Sequence, residues 1–178
     1  MNTASVLRAT PRLMAALALA VTVRAAAAET GRIAFPLYQT HVLYAVYDLP
    51  RIKQVREAYI NPEALKRVRP GEPLPSGTVL TMPAFNAVLD ERGEPVKDAN
   101  GRYIRGSLVT ILVMEKRTGW GAEYPDNVRN GEWEYQAFKA DKTPNTAANL
   151  TACFNCHKPL GAAPDFLFSY DRMKAATR

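Results

Sequence analysis

The segment Cys153-Phe154-Asn155-Cys156-His157 constrains this chain more than any other stretch. It takes up both cysteines of the 178 residues and one of the two histidines. On a helix, positions i, i+3 and i+4 share a face, so two thiols and an imidazole can be presented to one rigid object. CxxCH is the pattern of covalent c-type haem attachment. Cys153 and Cys156 would add to the two haem vinyl groups as thioethers, and His157 would ligate the iron from the proximal side, giving one haem c per chain. Two plainer readings fit the same cysteines: a redox-active CxxC pair, or a local disulfide in an oxidising compartment. Ala147, Ala148 and Leu150, within 146–151, make a suitable lead-in for the helix.

The opposite end of the chain bears on where such a cofactor could be attached. Arg8 and Arg12 precede an apolar run from Leu13 to Val23, and Ala26, Ala27 and Ala28 follow. This is the layout of a cleavable export signal, with cleavage expected near Ala28 and Glu29. The run is too short to span a bilayer, and no comparable stretch occurs later, so the mature chain is expected to be periplasmic with no membrane span. Residues 29–178 then form a single domain, since a compact chain of this size buries roughly 70% of its unfolded surface. A content of 47% hydrophobic and 22% charged residues excludes disorder, and two cysteines exclude a disulfide scaffold. Loss of residues 1–28, which hold three arginines and no acid, lowers the formal charge from +6 to +3. No basic block suggests nucleic acid.

The pattern along the mature chain predicts strands in the middle and helices at the ends. Phe35 to Tyr47 reads as a short strand. Asp48 could cap a helix in which Ile52, Val55, Arg56 and Tyr59 share one stripe, placing Arg56 on the apolar side. Asn61-Pro62 restarts a helix that Pro70-Gly71 ends. Thr78 to Leu89 reads as a strand, with Pro83 calling for an edge position or a bulge. The stretch 91–106 is a solvated connection, Leu108 to Met114 a strand covered on both sides, 120–131 a loop, and Trp133 to Phe138 a further strand. The fold class is α+β, an antiparallel sheet with flanking helices and the haem attached near the C-terminus.

The second axial position of the iron decides function, because a Met or His there favours electron transfer whereas an open face admits small molecules. The candidates are His41, Met82, Met114 and Met173. His41 reads equally well as a half-exposed sheet residue, and Met114 and Met173 as core fillers. Met82, beside Pro83 and near Phe85, is the least bland. Arg56 suits a haem propionate or a bound ligand, with snorkelling to solvent as the alternative. The aromatic motif Gly119-Trp120-Gly121 followed by Gly131-Glu132-Trp133-Glu134-Tyr135 reads as packing and turn chemistry, with ligand contact as the alternative.

Arg56-Glu57-Ala58-Tyr59-Ile60-Asn61-Pro62-Glu63, Leu74-Pro75-Ser76-Gly77-Thr78-Val79, the stretch Gly119 to Phe138 and the terminal CxxCH resemble, in matching order, the cytochrome P-460 family, which includes the cytochromes c′-beta. The resemblance implies a β-rich haem fold, commonly a homodimer, with His157 proximal and a distal face open to small nitrogen species. It argues against the four-helix cytochrome c′. Cytochrome P-460 proper oxidises hydroxylamine with a haem crosslinked to a lysine on the strand after the Gly-Thr-Val motif. That region here reads Thr81-Met82-Pro83-Ala84, with no lysine between Lys66 and Lys97. The departure points to the c′-beta branch, binders of nitric oxide and carbon monoxide with a crowded apolar distal pocket, and it makes Phe85 the candidate cap, with Phe35 as the alternative. Both Met82 and Phe85 can line one pocket only if Pro83 introduces a bulge.

The expected function is therefore a periplasmic monohaem cytochrome binding a small gas or nitrogen-oxide ligand. The alternatives are an electron-transfer cytochrome with Met82 as sixth ligand and a periplasmic redox partner, or an enzyme oxidising hydroxylamine or nitric oxide.

Overall fold

In the computed structural model residues 32–176 are described, so the expected export signal lies outside them. The described chain forms a five-stranded antiparallel meander in sequence order: β1 (Val42–Leu49), β2 (Gln54–Ile60), β3 (Val79–Ala87), β4 (Arg105–Lys116) and β5 (Trp133–Phe138). Three short helices accompany it: α1 (Pro62–Leu65), α2 (Leu150–His157) and α3 (Tyr170–Ala176). This is the α+β arrangement that the sequence pattern predicts, and it excludes a four-helix bundle.

The helix expected after Asp48 does not form. Pro50–Ile52 makes a single tight 3-10 turn, Lys53 follows in the left-handed region at φ 49°, and the chain returns as β2. Val46 pairs with Glu57, Tyr47 with Arg56 and Leu49 with Gln54. The helical stripe was a coincidence of β-branched and aromatic residues, which satisfy a strand equally well when a partner strand is close by. Asp48 caps nothing; its carboxylate accepts the Arg102 Nε at 2.7 Å and Nη2 at 3.2 Å, tying the polar connection to β1. That pairing holds the Asp48 carboxyl below its usual range.

Asn61 and Pro62 do start a helix, but it ends at Leu65 rather than before Pro70. The Asn61 side chain leaves the helix end and joins strands instead, donating to the Gly77 carbonyl at 3.1 Å and accepting the Val79 N–H at 2.8 Å. Pro83 lies on the central strand, not at an edge. Pairing of β2 with β3 runs through Arg56 and Ala84, skips Met82 and Pro83, and resumes at Tyr59 and Thr81, so the missing proline N–H falls in a gap of the ladder. The bulges lie just beyond, on the β4 side, at Ala84/Phe85 and Phe85/Ala87.

The sheet carries a hydrophobic layer on each face. One contains Ile60, Leu80, Trp133, Tyr135, Phe154 and Met173, and packs the sheet against α2 and α3. The other contains Ile33, Ile111, Val113 and Phe138, covered by Phe35, Tyr38 and Trp120. Among the described residues no helix is long and apolar enough to cross a membrane.

Candidate functional site

The helix side of the sheet encloses a cavity of about 440 Å³, within the range of small-molecule and cofactor sites. Cys153, Cys156 and His157 form one wall, and Leu80, Met82, Leu112 and Met114 of the sheet form another. Helix α2 presents the three motif residues because Phe154, between the cysteines, is only 1% exposed and anchors the helix. Its ring centroid is 4.9 Å from that of Tyr124 and 4.7 Å from that of Tyr135. Asn130, fully buried, adds a polar clamp: its Nδ2 donates to the Phe154 carbonyl at 3.0 Å and to the Tyr135 hydroxyl at 2.9 Å.

His157 is fixed on three sides. The Tyr135 and Phe168 rings lie 5.2 and 5.1 Å from the imidazole, centroid to centroid. Nδ1 is 2.7 Å from the Phe166 carbonyl oxygen. A carbonyl only accepts, so Nδ1 carries the proton and Nε2 keeps its lone pair, the state a metal-ligating histidine needs. Burial lowers the His157 pKa, which favours the neutral ring. Both cysteines are free thiols, and burial, followed by the neighbouring Cys156, pushes the Cys153 thiol up.

Arg56 is the charged side chain among the described lining residues. It reaches the cavity from β2, not from the stripe of a helix. Its Nε is buried without a hydrogen-bond partner, and burial lowers its pKa. A buried donor with nothing to donate to is costly, and its position in a mostly apolar cavity marks a place for an acceptor. Nearby, the Tyr44 hydroxyl and Ser169 Oγ pair at 2.9 Å, at another part of the lining.

Met82 and Met114 line the cavity. Phe85 does not, which corrects its assignment as the cap. Strand alternation turns it to the opposite face, where the Arg105 guanidinium stacks over its ring at 5.2 Å while donating to Glu57 at 2.6 Å. The bulges after Ala84 do not bring it back. Phe35 is on that far face too, its ring 5.2 Å from Phe138. Met173 is fully buried in the core, and His41 precedes β1 away from the cavity lining. Sequence reasoning missed Tyr44, Leu112, Tyr135, Phe168 and Asn130. Alternation along β4 and β5 could have flagged Leu112 and Tyr135, whereas Asn130 reads as half of an Asn-Gly turn and gives no local sign of its clamp.

The donor set therefore fits a covalently held haem: two thiols and an imidazole with a free Nε2 on one wall, Met thioethers and aliphatic groups opposite, and an arginine with an unpartnered Nε at the side. Compared with known families, residues 37–169 match the family model described as Cytochrome P460. No curated protein matches the chain.

Proposed function

This chain belongs to the cytochrome P460 family, which makes it a haem-binding cytochrome, and from that premise we propose that it is an exported c-type monohaem protein whose iron takes a small gas or nitrogen-oxide ligand. Cys153 and Cys156 would hold the haem by two thioethers, with His157 Nε2 on the iron. The haem, when bound, would supply a redox-active iron able to take a small ligand. The observation that carries the reading is the His157 Nδ1 contact to the Phe166 carbonyl at 2.7 Å in the wall of an apolar cavity.

The chain's own residues set what can enter. Leu80, Leu112 and Met114 line the cavity with groups that exclude water and strip charged solutes of hydration. Nitric oxide and carbon monoxide tolerate such surroundings. Arg56 offers the donor, to an oxygen of a bound nitrogen oxide or to a haem carboxylate. No lysine occurs among the described lining residues, which supports a gas binder over an enzyme with a lysine-crosslinked haem.

Electron transfer is the second reading, favoured by the place of the Met82 thioether in the cavity. Spectra of the purified protein, oxidised and reduced, with and without nitric oxide, separate the two. A high-spin ferrous form that changes on addition of the gas is expected. A low-spin ferrous form indifferent to nitric oxide and carbon monoxide sinks the gas-binding proposal, and a protein without a Soret band sinks the haem reading.

A further inference from the structure

We propose that the buried ion pair between Lys116 and Asp165 positions the carbonyl that hydrogen-bonds His157, and so tunes the electron density the imidazole delivers to the iron. The inference rests on the reading of His157 as the iron ligand.

Lys116, the last residue of β4, is 8% exposed in its side chain, and Asp165 is 6% exposed. Lys116 Nζ lies 2.9 Å from both Asp165 oxygens, and Oδ2 also accepts the Leu74 N–H at 2.8 Å. The carboxylate is thus held from the sheet and from the loop before β3. Asp165 and the next residue, Phe166, have φ values of 57° and 58°. Two successive non-glycine residues in the left-handed region are unfavourable and persist only where the surroundings fix them. The Lys116 ammonium and the Leu74 N–H do so at Asp165. At Phe166 the N–H donates to the Gly161 carbonyl at 2.8 Å, and the ring fills the space beside Gly131, where an added Cβ would sit 3.2 Å from it. The direction of the Phe166 carbonyl follows from this backbone, and that carbonyl receives the His157 Nδ1 proton.

A histidine's outer hydrogen bond sets its basicity as a ligand. A short, well-aligned bond to Phe166 gives the ring more imidazolate character and stabilises the ferric iron. Loss of the ion pair lets residues 165 and 166 relax toward ordinary backbone angles, weakening that bond. Lys116 and Asp165 are positioning residues, since neither touches the iron or its ligand.

The test uses the haem-loaded protein and the variants Lys116→Gln, Asp165→Asn and Lys116→Arg, read by the iron–histidine stretching band of the ferrous form and by the reduction potential. Lys116→Gln removes the ammonium and, with its shorter neutral side chain, the ion pair to Asp165, while keeping a polar group at the end of β4. The expected result is a lower stretching frequency in the Gln and Asn variants and a potential raised by ~28 mV, a threefold change in the ferrous-to-ferric ratio for a one-electron couple. Lys116→Arg, which keeps the charge, should retain the wild-type band. An unshifted band and potential in Lys116→Gln, whatever happens to its melting temperature, overturns the inference, as does an equal shift in Lys116→Arg. A wild type without covalently bound haem refutes the reading of the site itself, which a mass measurement decides independently.

Discussion

Truncation of Phe154 to alanine tests how the motif helix is held. The side chain sits between the two cysteines, is 1% exposed, and contacts the Tyr124 and Tyr135 rings at centroid distances of 4.9 and 4.7 Å. Removal of a buried Phe side chain costs ~3–5 kcal/mol, lost transfer and cavity terms together. The two aromatic pairs, each ~0.5–1.5 kcal/mol beyond area burial, place this site in the upper half of that range. Against a total stability of ~5–15 kcal/mol the loss is large. With a urea slope of about 2 kcal/mol/M, about 4 kcal/mol lowers the midpoint by about 2 M with an unchanged slope. Phe154→Leu, which keeps most of the volume but loses both ring pairs, should cost about 1–3 kcal/mol, less than the alanine variant. Equilibrium urea unfolding measures both. A midpoint shift below about 0.5 M for Phe154→Ala would refute the argument that this ring docks the helix and thereby sets where His157 stands.

Other expectations follow from single groups. Glu134 is 2% exposed, and burial raises its pKa from 4.5 to about 6 despite the Tyr124 and Arg32 hydrogen bonds. A raised folded pKa means that the folded state holds the proton more tightly, so this group's contribution to stability is greatest below pH 4.5 and is lost as pH rises to about 6. The span is worth about 2 kcal/mol, so at a slope of about 2 kcal/mol/M the difference in urea midpoint between wild type and Glu134→Gln should change by about 1 M across the window; a pH-independent difference contradicts it. Arg56→Met should stabilise the haem-free protein by ~1–3 kcal/mol, because it removes a buried unpartnered donor, and should weaken binding of an oxygen-bearing ligand by the loaded protein; a destabilised haem-free variant by thermal melting would show that Arg56 has a protein partner. Cys153→Ala should leave a single-thioether or poorly attached cofactor, and full haem retention on a denaturing gel argues against Cys153 as an attachment point.

The division between chain and fold is clearest at β2. Residues 52–59, most of which lie in β2, suit a helical stripe as well as a strand, and only the pairing with β1 and β3 decides, which a local pattern cannot contain. The same holds for Phe85: neither its chemistry nor its nearness to Met82 in the chain tells which face the bulges leave it on, and the Arg105 and Glu57 contacts that settle its side come from two other strands. Asn130 and the Lys116–Asp165 pair were silent for a related reason, since a buried polar group owes its role to partners remote in sequence: Phe154 is 24 residues from Asn130, and Asp165 is 49 from Lys116.

The sequence alone determined the chemistry that can be brought together at α2, because i, i+3 and i+4 spacing is a property of one helix, and it determined the strand-rich middle, because alternation is local. The tertiary structure decided what faces that chemistry. Leu80, Met82, Leu112, Arg56 and the Phe166 carbonyl meet Cys153, Cys156 and His157 only when five strands stack in register and a loop with two left-handed residues is pinned against the sheet. Contacts across a sheet depend on pairing energies summed over the whole molecule, so no single segment encodes them.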